Sequence, residues 1–128
     1  MEQIPERANL AAEVVVDAAL TVHRALGPGL LESVYSICLA HEMRKRGIQV
    51  LRELPLPVVY DGIRLDAGPR LDMLVDDCVI VELKAVEQLL PVHHAQLLTY
   101  LKLTGHRLGL LINFNTPLIR DGIRRLVL

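Results

Sequence analysis

Asp72, Glu82 and Lys84 place two carboxylates and an amine inside runs otherwise dominated by valine, isoleucine and leucine, 71–75 and 79–85. Two acids that converge can share a hard divalent cation such as magnesium, which turns their mutual repulsion into binding. Without a metal, one of the two pKa values should rise. Lys84 would offset part of the charge. Taken alone, the Glu82-Leu83-Lys84 triplet reads first as a solvated surface pair, with Asp72 capping a turn.

Whether the acids meet depends on strand register. Alternate strand residues share a face, so Ile80, Glu82 and Lys84 point one way and Val79, Val81 and Leu83 the other. A two-residue turn at Asp76-Asp77 would set Asp72 opposite Val81 and keep the carboxylates apart. A three-residue connection through Cys78, or a bulge, instead pairs Asp72 with Glu82, Met73 with Val81 and Val75 with Val79, and gathers most apolar residues on one face. The expected register is the second, with the acids about 5 Å apart at Cβ.

The elements that must hold these residues follow from periodicity. Leu10, Val14, Val15, Ala18, Val22 and Leu26 mark a helix over 8–26 with one buried face, after six frayed residues. Gly27-Pro28-Gly29 breaks it, and Leu31, Val34, Tyr35, Cys38, Leu39 and Met43 mark a second helix that stops at Gly47, with Glu32 in its first turn. Five short runs, 49–53, 56–60, 63–66, 71–75 and 79–85, read as an antiparallel meander. Pro91 opens a third helix and Gly105 stops it. The nearly continuous apolar run 108–114 is expected as a central strand, with a last strand at 123–128.

The 128 residues suit one core, 52% hydrophobic but only 3% aromatic, so one α/β domain over 1–128 is expected, a mixed sheet flanked by helices. No apolar run approaches the ~20 residues that span a bilayer, and no signal-peptide pattern opens the chain, so a cytoplasmic protein with no membrane partner is expected. Cys38 and Cys78 lack CxxC spacing and read as buried free thiols. A formal charge of −1 offers no global attraction to polyanions, so a nucleic-acid binder would have to gather its cations on one face. Arg52, Arg64, Arg70, Lys102 and Arg107 are candidates for that; Arg44-Lys45-Arg46 suit a helix end. His93 and His94 read as surface residues, and His23 and His41 as structural ones.

Asp72, the Glu82-Leu-Lys84 triplet ten residues on, and Gln96-Leu-Leu-Thr-Tyr100 in the next helix together resemble the PD-(D/E)XK nuclease superfamily, particularly its RecB-like QxxxY branch. Gly29-Leu-Leu-Glu32-Ser-Val-Tyr35 and the later Leu108-Gly-Leu-Leu-Ile-Asn-Phe114 look like the bacterial GxxExxY family; the similarity spans about Val22 to Leu126. It implies a core of helix, three-strand antiparallel meander, helix and strand, here with an additional N-terminal helix. It also implies that Asp72, Glu82, the Leu83 carbonyl and Glu32 hold Mg2+, or Mn2+ as substitute. Lys84 would orient or activate water, and Gln96 and Tyr100 would complete the rim. Arg70, preceded by Pro69, stands where the family's first motif has a Pro-Asp pair. The implied activity is hydrolysis of DNA or RNA phosphodiesters. The alternatives are a catalytically silent nuclease-fold binding module, alone or in a larger complex, and a homodimer built through the first helix.

Overall fold

The computed structural model describes residues 3–128. In chain order it runs α1 (Glu6–Leu26), α2 (Glu32–Lys45), β1 (Val50–Pro55), β2 (Val58–Tyr60), β3 (Ile63–Leu65), β4 (Arg70–Val75), β5 (Val79–Lys84), α3 (Pro91–Thr104), β6 (Leu108–Asn113), a 3-10 turn (Ile119–Gly122) and β7 (Ile123–Val127). The frayed start expected for the first six residues lies partly outside the described residues. Glu6 is already helical, led in by Pro5 at φ −56°.

Five strands form one sheet in the order β1-β4-β5-β6-β7. The β5–β6 pair is parallel, joined across α3, and the other pairs are antiparallel. A meander pairing each strand with the next is therefore corrected. β2 and β3 pair only with each other around Asp61-Gly62, both at positive φ, which suits a tight two-residue hairpin turn. This hairpin loops out and leaves β1 to pair with β4, so the three-strand antiparallel core is β1-β4-β5. The neck of the loop is closed by the Leu56 amide, which donates to the Pro69 carbonyl at 2.8 Å. Gly68 is required there, because a Cβ would run into the Leu56 carbonyl oxygen.

Each face of the sheet carries its own core. Val79, Val81, Leu83, Met73, Val75, Leu110 and Ile112 pack with α1 and α2, and Leu71, Leu74, Ile80 and Leu111 pack with Leu97, Tyr100 and Leu101 of α3. β5 thus alternates faces as its parity requires, and β6 is buried at every position. α1 departs from the expected leucine and valine face. Leu10 and Leu26 are exposed, and the buried stripe is Ala8, Ala11, Ala12, Val15, Ala18, Ala19 and Val22, small side chains that let the helix lie close to its neighbours. In α2 Leu31 and Val34 are likewise exposed, while Tyr35, Leu39, Ala40 and Met43 are buried. α3 starts at Pro91 and ends at Gly105, whose φ of 79° gives the left-handed cap that the sequence called for. It sits close to the sheet over Gly109, where a Cβ would lie 3.0 Å from the Leu97 side chain.

His23 is buried, with its ring Nε2 2.8 Å from the Thr116 carbonyl, the structural role expected of it. His41 is instead exposed. His93 caps the start of α3, its Nδ1 accepting from the Leu90 amide at 3.0 Å. Cys38 and Cys78 are free and half-buried. No helix among the described residues is long and apolar enough to cross a membrane.

Candidate functional site

β4 and β5 follow the three-residue register, with Met73 opposite Val81 and Val75 opposite Val79. Asp76 and Asp77 take positive φ and Cys78 completes the turn, its amide donating to the Val75 carbonyl. One step past Met73–Val81 the regular ladder gives way to side chains. The Asp72 amide donates to Glu82 Oε1 at 3.1 Å, and the Leu83 amide donates to Asp72 Oδ2 at 2.8 Å. Each carboxylate thus accepts from a backbone amide of the facing strand. This splits the two strands and turns the acids toward one another, with one oxygen of each committed to the backbone.

Glu82 is only 4% exposed. Burial, then the Asp72 charge and a direct hydrogen bond with the Asp72 side chain, push its carboxyl up to about 9. The neighbouring Lys84 ammonium pulls it partly back. At neutral pH the pair therefore shares a proton. A buried carboxyl dyad that retains a proton because its second charge is uncompensated has the chemistry of a hard-cation site, all oxygen and short of positive charge. No three Asp, Glu, His or Cys side chains among the described residues converge closely enough to cage an ion.

Glu32 opens α2 and reaches the same neighbourhood. Partial burial and then the Asp72 charge raise its pKa, Lys84 lowers it, and Glu53 adds a further upward push. Its position is set by a latch in the preceding turn. Tyr35 donates its hydroxyl to the Gly27 carbonyl at 2.6 Å and accepts from the Leu30 amide at 3.1 Å, while its ring stacks on Phe114 at 4.5 Å. Gly29 takes φ 97° within that turn, which a residue with a side chain rarely adopts. The Phe114 amide in turn donates to the Lys84 carbonyl at 2.9 Å. From α3, Tyr100 is buried beside the dyad. Burial and the charges of Glu82 and Asp72 all raise its phenol pKa. Gln96, one turn earlier on the same helix face, is exposed, and no hydrogen bond among the described residues ties it to the carboxylates.

The structure thus brings Glu32, Asp72, Glu82, Lys84 and Tyr100 together and leaves Gln96 at the solvent edge. The expected cations do not gather. Arg52 donates to Ser36, Arg70 to the Glu53 carbonyl, Arg64 to Asp66 and Arg107 to the Leu128 carbonyl, and Lys102 is exposed. Arg46 joins α2 to Asp17 of α1 at 2.9 Å, and Arg44 reaches the Val50 carbonyl.

Two residues escaped the sequence reading. Glu53 falls opposite Asp72, between the pairs Arg52–Met73 and Leu54–Leu71, with φ 54° inside a strand. Its signal was an acid within a β-run, but only the β1–β4 pairing puts it beside Asp72. Asn113 is 2% exposed and spans the loop after Lys84, accepting from the Val86 and Asn115 amides and donating to the Val86 carbonyl. Its place at the end of a buried apolar strand was the available clue, since a buried carboxamide must be fully bonded.

No curated protein and no solved structure matches the chain. A family model described as PD-(D/E)XK nuclease superfamily matches residues 9–126, which takes in α1 from Asn9 on, the five-stranded sheet up to Leu126 and every residue of the site. PD-(D/E)XK nucleases generally use divalent metal ions, in keeping with the proton-sharing dyad. The chain belongs to the PD-(D/E)XK nuclease superfamily.

Proposed function

We propose that this domain is a magnesium-dependent nuclease that hydrolyses phosphodiester bonds of DNA or RNA at the Asp72–Glu82 dyad. The single observation that carries the reading is the buried, reciprocally hydrogen-bonded carboxyl pair with Lys84 beside it. Asp72 and Glu82 offer their uncommitted oxygens to the cation, and Glu32 adds charge from the start of α2. Leu83 turns its amide toward Asp72, and in an extended strand its carbonyl points to the same side, so it completes the ligand set. A divalent ion bound there supplies polarisation of the scissile phosphate and acidification of water. Lys84 holds the attacking water and stabilises the charge that develops on the phosphate. Tyr100 excludes bulk water from the dyad, and Gln96 meets substrate at the rim.

The same reading places the chain in the GxxExxY branch. Gly29 and Tyr35 form the latch that sets Glu32 at the helix start, which gives the spacing Gly29, Glu32, Tyr35 a mechanical meaning. Self-association belongs to the reading as well, supported by solvent-exposed Leu31, Val34 and Ile37 along α2. Molar mass by light scattering tests it, and a monomer at working concentration would remove it.

Labelled DNA and RNA oligonucleotides incubated with Mg2+ should be cut, and EDTA should stop the reaction. Asp72→Asn keeps an acceptor for the Leu83 amide but removes a charge from the cation site. Losing several kcal/mol of charge stabilisation should slow cutting by about 100-fold or more. Purified protein that cuts neither nucleic acid with Mg2+ or Mn2+ would leave a silent nuclease-fold binding module as the reading.

A further inference from the structure

The cations of this molecule are mostly engaged internally, and two of the four exceptions share a location. Of its fourteen lysines and arginines, only Arg24, Lys84, Lys102 and Arg120 carry no hydrogen bond or ion pair among the described residues. Lys84 is in the site. Arg24 and Arg120 both line one open cleft of about 560 Å3 between the end of α1 and the 3-10 turn, with His23, Gly27, Pro28 and Pro117 among its walls. No acidic residue lines it. The larger cleft along α1 carries Glu6, Glu13 and Asp17, and the one beside Asn113 carries Glu87 and Asp121.

A short series of contacts joins the cleft to the backbone of Lys84, two residues beyond Glu82. Gly27, in its wall, is bonded to Tyr35; Tyr35 stacks on Phe114; Phe114 is bonded to the backbone of Lys84. His23, also in the wall, holds its ring 6.4 Å from Phe114. The cleft therefore opens at the same end of the sheet as Lys84, where β5 and β6 terminate. The macrodipole of α1 accounts for a cation at Arg24 in its last turn, but not for a second one in the same cleft at Arg120.

We infer that Arg24 and Arg120 bind phosphates of the nucleic-acid strand as it leaves the catalytic carboxylates. This rests on the nuclease reading for its substrate class. Guanidinium groups suit the task because they grip phosphate oxygens in a planar fork and keep their charge at any working pH. Such contacts position a strand without reading its sequence, so the two arginines set affinity and the direction in which the strand runs. They also resolve the apparent conflict between a net charge of −1 and a polyanionic substrate, since two unpaired cations in an acid-free cleft need no basic surface elsewhere.

The test is fluorescence anisotropy of a labelled oligodeoxynucleotide, single-stranded and as a duplex, and of the matching RNA, with calcium replacing magnesium and KCl varied. The variants are Arg24→Gln/Arg120→Gln and, as a control that removes one unengaged cation elsewhere, Lys102→Gln. Lys102 lies about 200° around α3 from Tyr100. The double variant should bind about tenfold or more weakly, and its slope of log affinity against log salt should fall by about 1.4–1.8, two phosphate contacts' worth. Lys102→Gln should leave both unchanged. In magnesium, the double variant should raise KM with little change in kcat. An unaltered slope in the double variant, or an equal loss in Lys102→Gln, overturns the proposal. If the wild type binds through these arginines but cuts nothing, the cleft stands and the catalytic reading falls. If it cuts and the double variant matches it in KM, the reverse holds. A wild type that neither binds nor cuts sinks both.

Discussion

Lys84→Ala is expected to leave the protein folded and able to bind Mn2+ while slowing phosphodiester cleavage by about 100-fold or more. Lys84 is half-buried and its ammonium makes no hydrogen bond or ion pair among the described residues, so removing the side chain orphans no partner there. Its effect on the resting site is electrostatic, since it partly offsets the upward pKa shifts of Glu82 and Glu32. An ammonium next to a divalent-cation site opposes metal binding, so a role in holding the metal cannot explain its presence. An ammonium that costs cation affinity is suited to act on something anionic, which under the proposed function is the attacking water and the phosphate. Manganese affinity by calorimetry should therefore be equal or tighter in the variant while single-turnover cutting collapses. Cutting within about threefold of the wild type would remove Lys84 from the mechanism.

Glu82→Gln is expected to flatten the dependence of thermal stability on pH between about 5 and 9. Glu82 titrates near 4.5 when unfolded and at about 9 in the fold. Between those values the native state binds more protons than the unfolded chain, so stability is fully present below 4.5 and is lost as pH rises toward 9. With roughly 1.4 kcal/mol per pKa unit, the loss amounts to several kcal/mol, a fall in melting temperature on the order of 10 °C for a domain of this size. Glu32 is shifted the same way and adds to the slope. Asp76 and Glu42, which are shifted down, act only in more acidic solution. Glutamine mimics the protonated acid: its carbonyl oxygen keeps the bond from the Asp72 amide, and its amide can donate to the Asp72 carboxylate. Saturating Mg2+ at pH 8 should raise the melting temperature of the wild type, where cation replaces proton, and leave the glutamine variant unmoved. Parallel melting-temperature profiles for the two proteins would mean that Glu82 does not carry the retained proton.

The pairing of Asp72 with Glu82 was legible without coordinates because it rests on parity. Side chains alternate with period two, and only a three-residue turn places the apolar residues of both strands on one face. The same holds for α3, whose ends are written as Pro91 and Gly105, and for β6, whose unbroken apolar run demands cover on both sides. These features are local: the physics that selects them acts within a few residues of the signal.

What the sequence did not determine is everything that depends on segments far apart along the chain. Closing a longer loop costs only about 0.6 kcal/mol for each doubling of its length, so nothing in 49–75 forbids β1 from skipping β2 and β3 to pair with β4. That choice, made by burial against α2 and α3, puts Glu53 beside Asp72. Burial also turns an ordinary glutamate at position 82 into a proton-holding acid, selects the alanines of α1 for its buried face, and brings Arg24 and Arg120, ninety-six positions apart, into one cleft. Residue types and spacing settle which groups are available. Only the packed fold sets their distance from water and from one another, and those distances govern the electrostatics on which the chemistry depends.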